Sequence, residues 1–292
     1  MRIRPFYFII ALLLFLILVE LIYTRLIFSS ERTVYLMGTP VRIRIQGVNS
    51  PHHARLAFDR IWWIDHEFSR FREDSQVTLL NRLAGRAPLE VSRDVFECIH
   101  LANQVSNLSG GAFDLTRGHV RTLRLNHRAN SVFITRKGIS IDLGGIGKGF
   151  AAQKARQLLM AKGAKSGMID MRSSIAVFGP RAWKVGVQHP RQKGRLLGVV
   201  ELKDGDSLAT SGDYERGEHI IDPRTGRPAS ACQSVTVIGK NAAVTDALST
   251  AVFVLGPAQG LDLVESLPEV EALIVDHRGR IIKSSGFKLL EK

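Results

Sequence analysis

The longest apolar segment of the chain lies at its N-terminus. It covers 6–23, with Glu20 as its one charged residue, which matches the ~17–25 residues that a membrane-spanning helix needs. Arg2 and Arg4 precede it, and the positive-inside tendency would hold them in the cytoplasm. No small-residue cleavage site follows, which favours an uncleaved anchor over a cleaved signal peptide. We therefore expect 1–30 to form a signal or membrane anchor, single-pass in the inner (cytoplasmic) membrane.

The rest of the chain, 31–292, alternates between short strand patterns and amphipathic helix patterns. Val41, Ile43 and Ile45 alternate as in a strand. Further strands are predicted at 139–143, within 168–178, and near 184–188, 199–202, 207–210, 218–221 and 234–239. Helices are predicted at 53–71, from a Ser92 cap towards Gly110, and at 148–162, 243–255 and 257–267, with a hairpin at 271–284. This mixture predicts a single α+β domain. Because Arg2 and Arg4 would stay in the cytoplasm, we expect that domain on the periplasmic or extracytoplasmic side.

The charge of the chain is strongly basic. It has 40 Lys and Arg against 27 Asp and Glu, a formal net charge of +13. No basic helix or aromatic-rich RNA-binding strand accompanies this charge, so we expect no nucleic-acid partner. An anionic membrane surface, a small anionic ligand and a merely solvated surface stay open as explanations. Cys98 and Cys232 lack zinc-site spacing, and two unrelated buried thiols are favoured over a disulfide.

A glycine-rich turn follows the predicted strand 139–143 and opens a helix. Such a turn can bring backbone N–H groups and a helix N-terminus close to a phosphate. It is neither a P-loop nor a dinucleotide-binding fingerprint, because no Ser or Thr follows Lys148 and the glycine spacing differs. Lys148 in the first helical turn opposes the helix dipole, so a nearby anion would explain it. An ordinary tight connection is the alternative.

Two further segments group polar residues. His219 precedes a Pro- and Gly-bounded turn, where it could be a general base or a surface histidine beside a turn-capping Asp222. Asp246 and Thr250 are four residues apart, share a helix face and offer hard oxygen ligands suited to Mg²⁺. We expect both at the protein surface. The alternative is that Asp246 caps the helix and Thr250 bonds to a carbonyl.

Together, these segments resemble the FAD:protein FMN transferases, the ApbE-like family, from about 34 to 290. The matching segments are 37–39, 68–71 with Ser75 and Asn81, 111–116, 142–152, 209–216, 219–226 and 246–256. The resemblance implies a T-fold-related domain with mixed or antiparallel sheets and packed helices. It also implies an exported, Mg²⁺-dependent enzyme that transfers the FMN half of FAD to a Thr or Ser hydroxyl and releases AMP. The acceptor would be a target flavoprotein of an electron-transfer system.

The resemblance implies roles for individual residues as well. Asp246 and Thr250 would bind Mg²⁺ with a backbone carbonyl near Gly145, and Ser249 stands at an additional ligand position. His219 would activate the acceptor hydroxyl. The residues expected to contact FAD are Met37, Phe71, Ala112, Phe113, Asp114, Asp142, Lys148 and Ile221.

Two departures from the family pattern affect the expected FAD site. Where relatives carry Asn-x-Gly-Gly-Asp, 170–174 reads Asp-Met-Arg-Ser-Ser, which adds side chains where backbone would approach a ligand. Arg117 and His119 stand where relatives have Val and Pro, and the stretch 118–142 is shorter than usual. Two alternatives to the transferase therefore stay open. One is a hydrolase of the FAD pyrophosphate, and the other is a non-catalytic, membrane-tethered flavin-binding or assembly protein.

Overall fold

A computed structural model describes residues 5–27, 29–47, 49–214 and 219–290. Within these ranges the helices are α1 Pro5–Ile27, α2 Ser50–Phe68, α3 Gln76–Arg82, α4 Arg93–Leu108, α5 Gly147–Ala161, α6 Ala242–Leu255 and α7 Pro257–Glu265. The strands are β1 Ser29–Leu36, β2 Thr39–Gln46, β3 Leu89–Glu90, β4 Leu123–Asn126, β5 Ser131–Ile134, β6 Ser166–Asp170, β7 Ser174–Phe178, β8 Trp183–Gln188, β9 Leu196–Leu202, β10 Ser207–Gly212, β11 Ile221–Asp222, β12 Arg227–Pro228, β13 Cys232–Gly239, β14 Glu271–Asp276 and β15 Ile281–Lys283.

The main sheet is antiparallel. Its strand order is β1-β2-β6-β7-β10-β13-β14-β15, and β3-β5-β4, β8-β9 and β11-β12 form three smaller sheets. All strand pairs among the described residues are antiparallel. The prediction of a single α+β domain with antiparallel pairing is therefore confirmed.

The inner strands of the main sheet are buried on both faces, because their side chains alternate between two cores, whereas the edge strands β1 and β15 are largely exposed. In β7, Ala176 and Phe178 belong to the core beneath the helices, whereas Ile175 and Val177 belong to the second core. Helices α2, α5 and α6 cover the first face. The β8–β9 hairpin covers the second face with the side chains of Trp183, Val187, Val200 and Leu202. A strand buried on both faces explains the unbroken apolar run at 175–178.

Helices α5 and α6 approach each other closely at Gly149. A Cβ atom at Gly149 would lie 2.1 Å from the Ala242 carbonyl oxygen and 2.5 Å from Asp246 Cβ, so only glycine fits. The Gly149 N–H donates to Asp246 Oδ2 at 2.8 Å. The first turn of α5 is thereby fixed against α6.

Arg156 fixes the same helix pair to the sheet. Its guanidinium is buried and donates to Gln153 Oε1, which also accepts a hydrogen bond from the Ala242 N–H at the start of α6. The remaining acceptors are the backbone carbonyls of Val177, Gly205, Asp206 and Lys240. One buried cation thus joins α5 to β7 and to the turns before β10 and α6. Such a cation is tolerated in the interior because its donors are satisfied.

The prediction of a strand at 139–143 is wrong. The segment contains no strand, and its hydrogen bonds go to a side chain and a loop. Asn81 accepts from the Ile141 N–H at 2.8 Å and donates to the Ile141 carbonyl at 3.1 Å, while the Asp142 N–H donates to the Leu115 carbonyl at 2.8 Å. A side chain can pair with one residue but cannot continue a ladder of hydrogen bonds. The helix α3 and the β4–β5 hairpin were not predicted.

Several other predictions are confirmed in detail. Ser92 caps α4 and accepts a hydrogen bond from the Val95 N–H. The 271–284 segment forms the β14–β15 hairpin. Cys98 and Cys232 are buried free thiols, and burial raises the pKa of Cys232 to about 12. The predicted strand at 218–221 is described only from residue 219 onward, and β11 begins at Ile221.

The apolar N-terminal segment is helical as α1. Its described side chains, Tyr7 and 9–19, are exposed. Counting only the described residues, no helix is long and apolar enough to cross a membrane. The membrane anchor therefore stays a prediction.

We expect Gly149→Ala to lower the free energy of unfolding by about 1–3 kcal/mol or more, because the added methyl would overlap the Ala242 carbonyl. Gly147→Ala is the matched control, since a Cβ there would lie 3.4 Å from Met37 Cε and 3.5 Å from Phe68 Cδ2, in ordinary contact. Urea denaturation measures both variants against the unmodified protein. Equal stabilities of the two variants would contradict the close approach of α5 and α6.

Candidate active site

A cavity of about 880 Å³ opens beside the first turn of α5. Its walls come from α5, α6, β8, β10 and the loops near 112–117 and 219–226. Sites for cofactors and other small molecules typically measure ~300–1,000 Å³. The cavity is therefore large enough for a nucleotide-sized ligand.

Most of the predicted site residues line this cavity. They are Ala112, Phe113, Asp114, Asp142, Gly145, Lys148, His219, Ile221, Asp246 and Thr250. They come from four separate parts of the chain, which the fold brings to one surface.

Three predicted site residues lie outside the lining. Met37 packs beside Gly147, and its N–H donates to Asp65 Oδ2 at 2.9 Å. Phe71 is 82% exposed, with the Arg70 guanidinium 4.8 Å from its ring centroid. Ser249 is fully buried, and its hydroxyl donates to the Asp246 carbonyl at 2.8 Å. The described structure therefore does not bring these three side chains to the cavity.

Asp246 is buried, with 6% exposure, and the expectation that it lies at the protein surface is wrong. The crossing of α5 and α6 encloses it, and Oδ2 accepts the Gly149 N–H. Desolvation by burial raises the pKa of Asp246, while the Lys148 charge and the Gly149 N–H oppose this rise. A buried carboxylate is stable in its charged form only with compensating charge and hydrogen bonds. A cation in the cavity would supply that charge.

The oxygen groups near Asp246 fit a magnesium site. Thr250 lies one helical turn further along α6, and its hydroxyl oxygen is 3.2 Å from Ser211 Oγ. Gly145 is also close, since a Cβ there would lie 3.7 Å from Thr250 Oγ1. A carboxylate, a hydroxyl and a backbone carbonyl are ligands that Mg²⁺ accepts. Across the described ranges, no three His, Cys, Asp or Glu side chains cluster as a metal site.

Asp142 organises the rim of the cavity. Its Oδ1 accepts the Gly144 N–H at 2.9 Å, and its Oδ2 lies 3.3 Å from both Arg117 Nη2 and Arg70 Nη1. The carboxylate therefore holds the glycine-rich turn and two arginines together. Its negative charge is largely balanced before any ligand binds.

Asp114 organises the neighbouring loop in the same way. Its carboxylate accepts four hydrogen bonds, from Thr116 N–H, Thr116 Oγ1–H, Gly118 N–H and Val120 N–H. The loop also packs tightly against the next one, because a Cβ on Gly118 would lie 2.4 Å from the Pro223 carbonyl oxygen. Asp114 thus shapes the cavity wall through the backbone that it holds.

His219 lies at the cavity, at the start of the described part of its loop. After it, β11 and β12 form a short hairpin. Asp222 accepts hydrogen bonds from the Arg224 N–H and guanidinium, which lower the pKa of Asp222. Asp222 therefore caps this turn, as the alternative interpretation of the segment expects, and the role of His219 stays a prediction.

The lining residues that were not predicted include Arg70, Arg117, Arg172 and Ser211. Arg70 and Ser211 lie inside segments that match the family pattern, which is the signal that could have identified them. Arg117 and Arg172 depart from that pattern, so the pattern gives no signal for them. Both adopt positive φ, 57° and 67°. With Lys148 and Arg70, they give the lining four cations against the three carboxylates of Asp114, Asp142 and Asp246, a small excess of positive charge.

Comparison with known proteins agrees with this geometry. The sequence profile of the ApbE family matches residues 37–128 and 117–274. An FAD:protein FMN transferase of Treponema pallidum is 28% identical, over 88% of this chain and 87% of the relative. An FAD:protein FMN transferase of Klebsiella pneumoniae is also 28% identical, over 89% of this chain and 95% of the relative. The crystal structure of the ApbE protein of Thermotoga maritima superposes with a TM-score of 0.80 at 29% identity, over 88% of this chain and 97% of that one.

We expect Asp246→Ala to be less stable than Asp246→Asn by about 1–3 kcal/mol, because only Asn keeps an acceptor for the buried Gly149 N–H. Both variants remove the buried negative charge, so the loss of that charge does not contribute to the difference between them. Chemical denaturation without added metal gives the two free energies of unfolding. If Asp246→Ala and Asp246→Asn have equal free energies of unfolding, the hydrogen bond from the Gly149 N–H to residue 246 does not stabilise the fold.

Proposed function

This chain belongs to the ApbE family, and we propose that it is an FAD:protein FMN transferase. It moves the FMN half of FAD to a Thr or Ser hydroxyl of a target flavoprotein and releases AMP. The observation that carries this proposal is the cavity itself. There, Asp246 and Thr250, a set of cations, and His219 face a common space of nucleotide size.

The four cations that line the cavity are suited to binding a pyrophosphate. Lys148 lies in the first turn of α5, where the helix dipole also favours an anion. Arg70, Arg117 and Arg172 line the same cavity. Guanidinium groups bind phosphate oxygens through paired N–H donors. These groups hold the FAD phosphates in place and balance their charge.

Magnesium is part of the proposal. Asp246, Thr250 and a backbone carbonyl near Gly145 would hold the ion. When bound, Mg²⁺ neutralises phosphate charge and stabilises the charge that develops on the leaving oxygen. Ser211 and Ser249 fix the Thr250 side of the site, since Ser211 Oγ lies 2.8 Å from Ser249 Oγ and 3.2 Å from Thr250 Oγ1.

The transfer exchanges the phosphoanhydride bond of the FAD pyrophosphate for a phosphoester bond to the acceptor hydroxyl. The acceptor hydroxyl oxygen bonds to the FMN phosphorus, the bond from that phosphorus to the bridging oxygen breaks, and AMP leaves with that oxygen. His219 takes the proton that the hydroxyl loses. In phosphoryl transfer of this kind the protein contributes mainly position and charge.

We also propose that 1–30 anchors the protein in the cytoplasmic membrane with the catalytic domain outside the cytoplasm. The apolar sequence of 6–23 and the preceding Arg2 and Arg4 support this arrangement. A C-terminal fusion to alkaline phosphatase, which is active only after export, should be active in a Gram-negative host and inactive once 1–30 are deleted. A full-length fusion that stays inactive despite normal expression contradicts the export.

The test of the function uses FAD, Mg²⁺ and candidate acceptor domains, with the acceptor mass as readout. We expect the mass to rise by one FMN, and His219→Ala to slow transfer by about 10²–10⁴-fold while FAD affinity is unchanged. His52→Ala, an exposed histidine on α2, is the matched control.

Other products would overturn the proposal. Free FMN and AMP without acceptor modification identify a hydrolase, and tight FAD binding without either product identifies a flavin-binding protein. If His219→Ala transfers FMN at the unchanged rate, the transferase proposal stands, but His219 is not its general base.

A further inference from the structure

The loop between β8 and β9 is a concentrated run of positive charge. Residues 189–195 read His-Pro-Arg-Gln-Lys-Gly-Arg, with three Lys and Arg and no carboxylate. Residues 191–195 are all exposed. We call this segment, 189–195, the basic tip.

The basic tip begins at the mouth of the cavity. Gln188, the residue before it, lines the cavity. Arg191 donates to both oxygens of Asp213, at 2.5 Å and 2.7 Å. Asp213 stands between Gly212 and Tyr214, and both of these neighbours line the cavity. The tip is therefore tied to the cavity wall and borders its opening.

The tip also has a defined shape. The His189 N–H donates to the Arg195 carbonyl at 2.9 Å, and the Arg195 N–H donates to the Gln192 carbonyl at 3.1 Å. These bonds close the loop at its base. Its side chains are therefore presented from a fixed backbone.

The charges of Lys193 and Arg195 have no carboxylate partner among the residues that the structure describes. Arg191 is paired with Asp213, whereas Arg195 donates to the neutral Gln192 side chain at 2.6 Å. Lys193 forms no ion pair in the described part of the chain. A fixed, exposed pair of cations at the mouth of a cavity attracts an anionic partner.

We propose that the basic tip binds an acidic segment of the acceptor protein, next to the hydroxyl that is modified. The inference rests on the proposed function, because a protein hydroxyl must enter the cavity through its mouth. The acceptor backbone on either side of that hydroxyl then lies over the rim. Carboxylates in these flanking residues would meet Lys193 and Arg195. Exposed charge pairs of this kind mainly guide association and select partners.

A membrane surface is the other class of anionic partner, and the structure favours the acceptor. Arg191 fixes the tip to the cavity wall instead of leaving it to extend from the protein. The remaining residues of the tip, His189, Pro190, Gln192 and Gly194, include no exposed aromatic or aliphatic side chain that would enter a bilayer. Leu196, which follows the tip and is 47% exposed, lies against Gly186 of β8.

Charge reversal of the tip tests the inference. The variant K193E/R195E changes neither a cavity-lining residue nor the Arg191–Asp213 pair, so FAD affinity should stay unchanged. The matched control K162E/K165E reverses two charges beyond the C-terminal end of α5, about 20 Å from the turn that lines the cavity. The probes are two fluorescein-labelled peptides with a central Thr, flanked in one by Asp and in the other by Asn. Fluorescence anisotropy at low ionic strength measures their binding.

We expect the unmodified protein to bind the Asp peptide more tightly than the Asn peptide. K193E/R195E should weaken binding of the Asp peptide by about tenfold or more and leave the Asn peptide within about twofold, whereas K162E/K165E should change neither. Equal binding of the two peptides by the unmodified protein would overturn the inference, as would a tip variant that binds like the control. Tip-dependent binding to vesicles containing phosphatidylglycerol, without discrimination between the peptides, would assign the tip to a membrane instead.

Failure of the proposed function gives a different result. If no acceptor gains FMN mass but the Asp peptide still binds through Lys193 and Arg195, the transferase proposal fails and the binding surface stands. If an acceptor is modified and K193E/R195E modifies it at the unchanged rate, the function stands and the inference on the tip fails.

Discussion

The buried hydrogen bond from the Gly149 N–H to Asp246 is the interaction on which the candidate site depends. It exists because Gly149 has no side chain, so the first turn of α5 can lie directly on α6. The contact sets the position of the Asp246 carboxylate and, one helical turn on, of the Thr250 hydroxyl. It also places Lys148 close enough to oppose the rise in the pKa of Asp246. Arg156 stabilises the same helix pair from the sheet side through its bonds to Gln153 and the surrounding carbonyls.

The three cavity carboxylates differ in what they are free to bind. Asp114 accepts four hydrogen bonds from its own loop, and Asp142 is paired with Arg70 and Arg117. Of the two carboxylate oxygens of Asp246, Oδ2 alone accepts a hydrogen bond from the residues that the structure describes. The carboxylate that is most buried is thus also the one with an oxygen left for a cation. Arg117 and Arg172, the departures from the family pattern, line the cavity and add positive charge to it.

Local sequence patterns predicted the elements that local forces decide. The Ser92 cap, the apolar face of α2 and the hairpin at 271–284 follow from residues close in the chain. The segment 139–143 shows the limit, because its alternating Ile139, Ile141 and Leu143 suit a strand, yet its partner is the Asn81 side chain. The family pattern identified most of the cavity residues. Neither pattern could show that Asp246 is enclosed, because its burial results from a helix crossing between residues almost a hundred positions apart.

The most direct test of the account is a crystal structure with FAD and Mn²⁺ in place of Mg²⁺, in which anomalous scattering locates the metal. We expect one strong peak in the cavity within about 2.2 Å of Asp246 Oδ1 and Thr250 Oγ1, with Oδ2 still accepting the Gly149 N–H. The proposed metal site would be contradicted by a metal that binds FAD away from Asp246. It would also be contradicted by an Asp246 side chain that no longer accepts the Gly149 N–H.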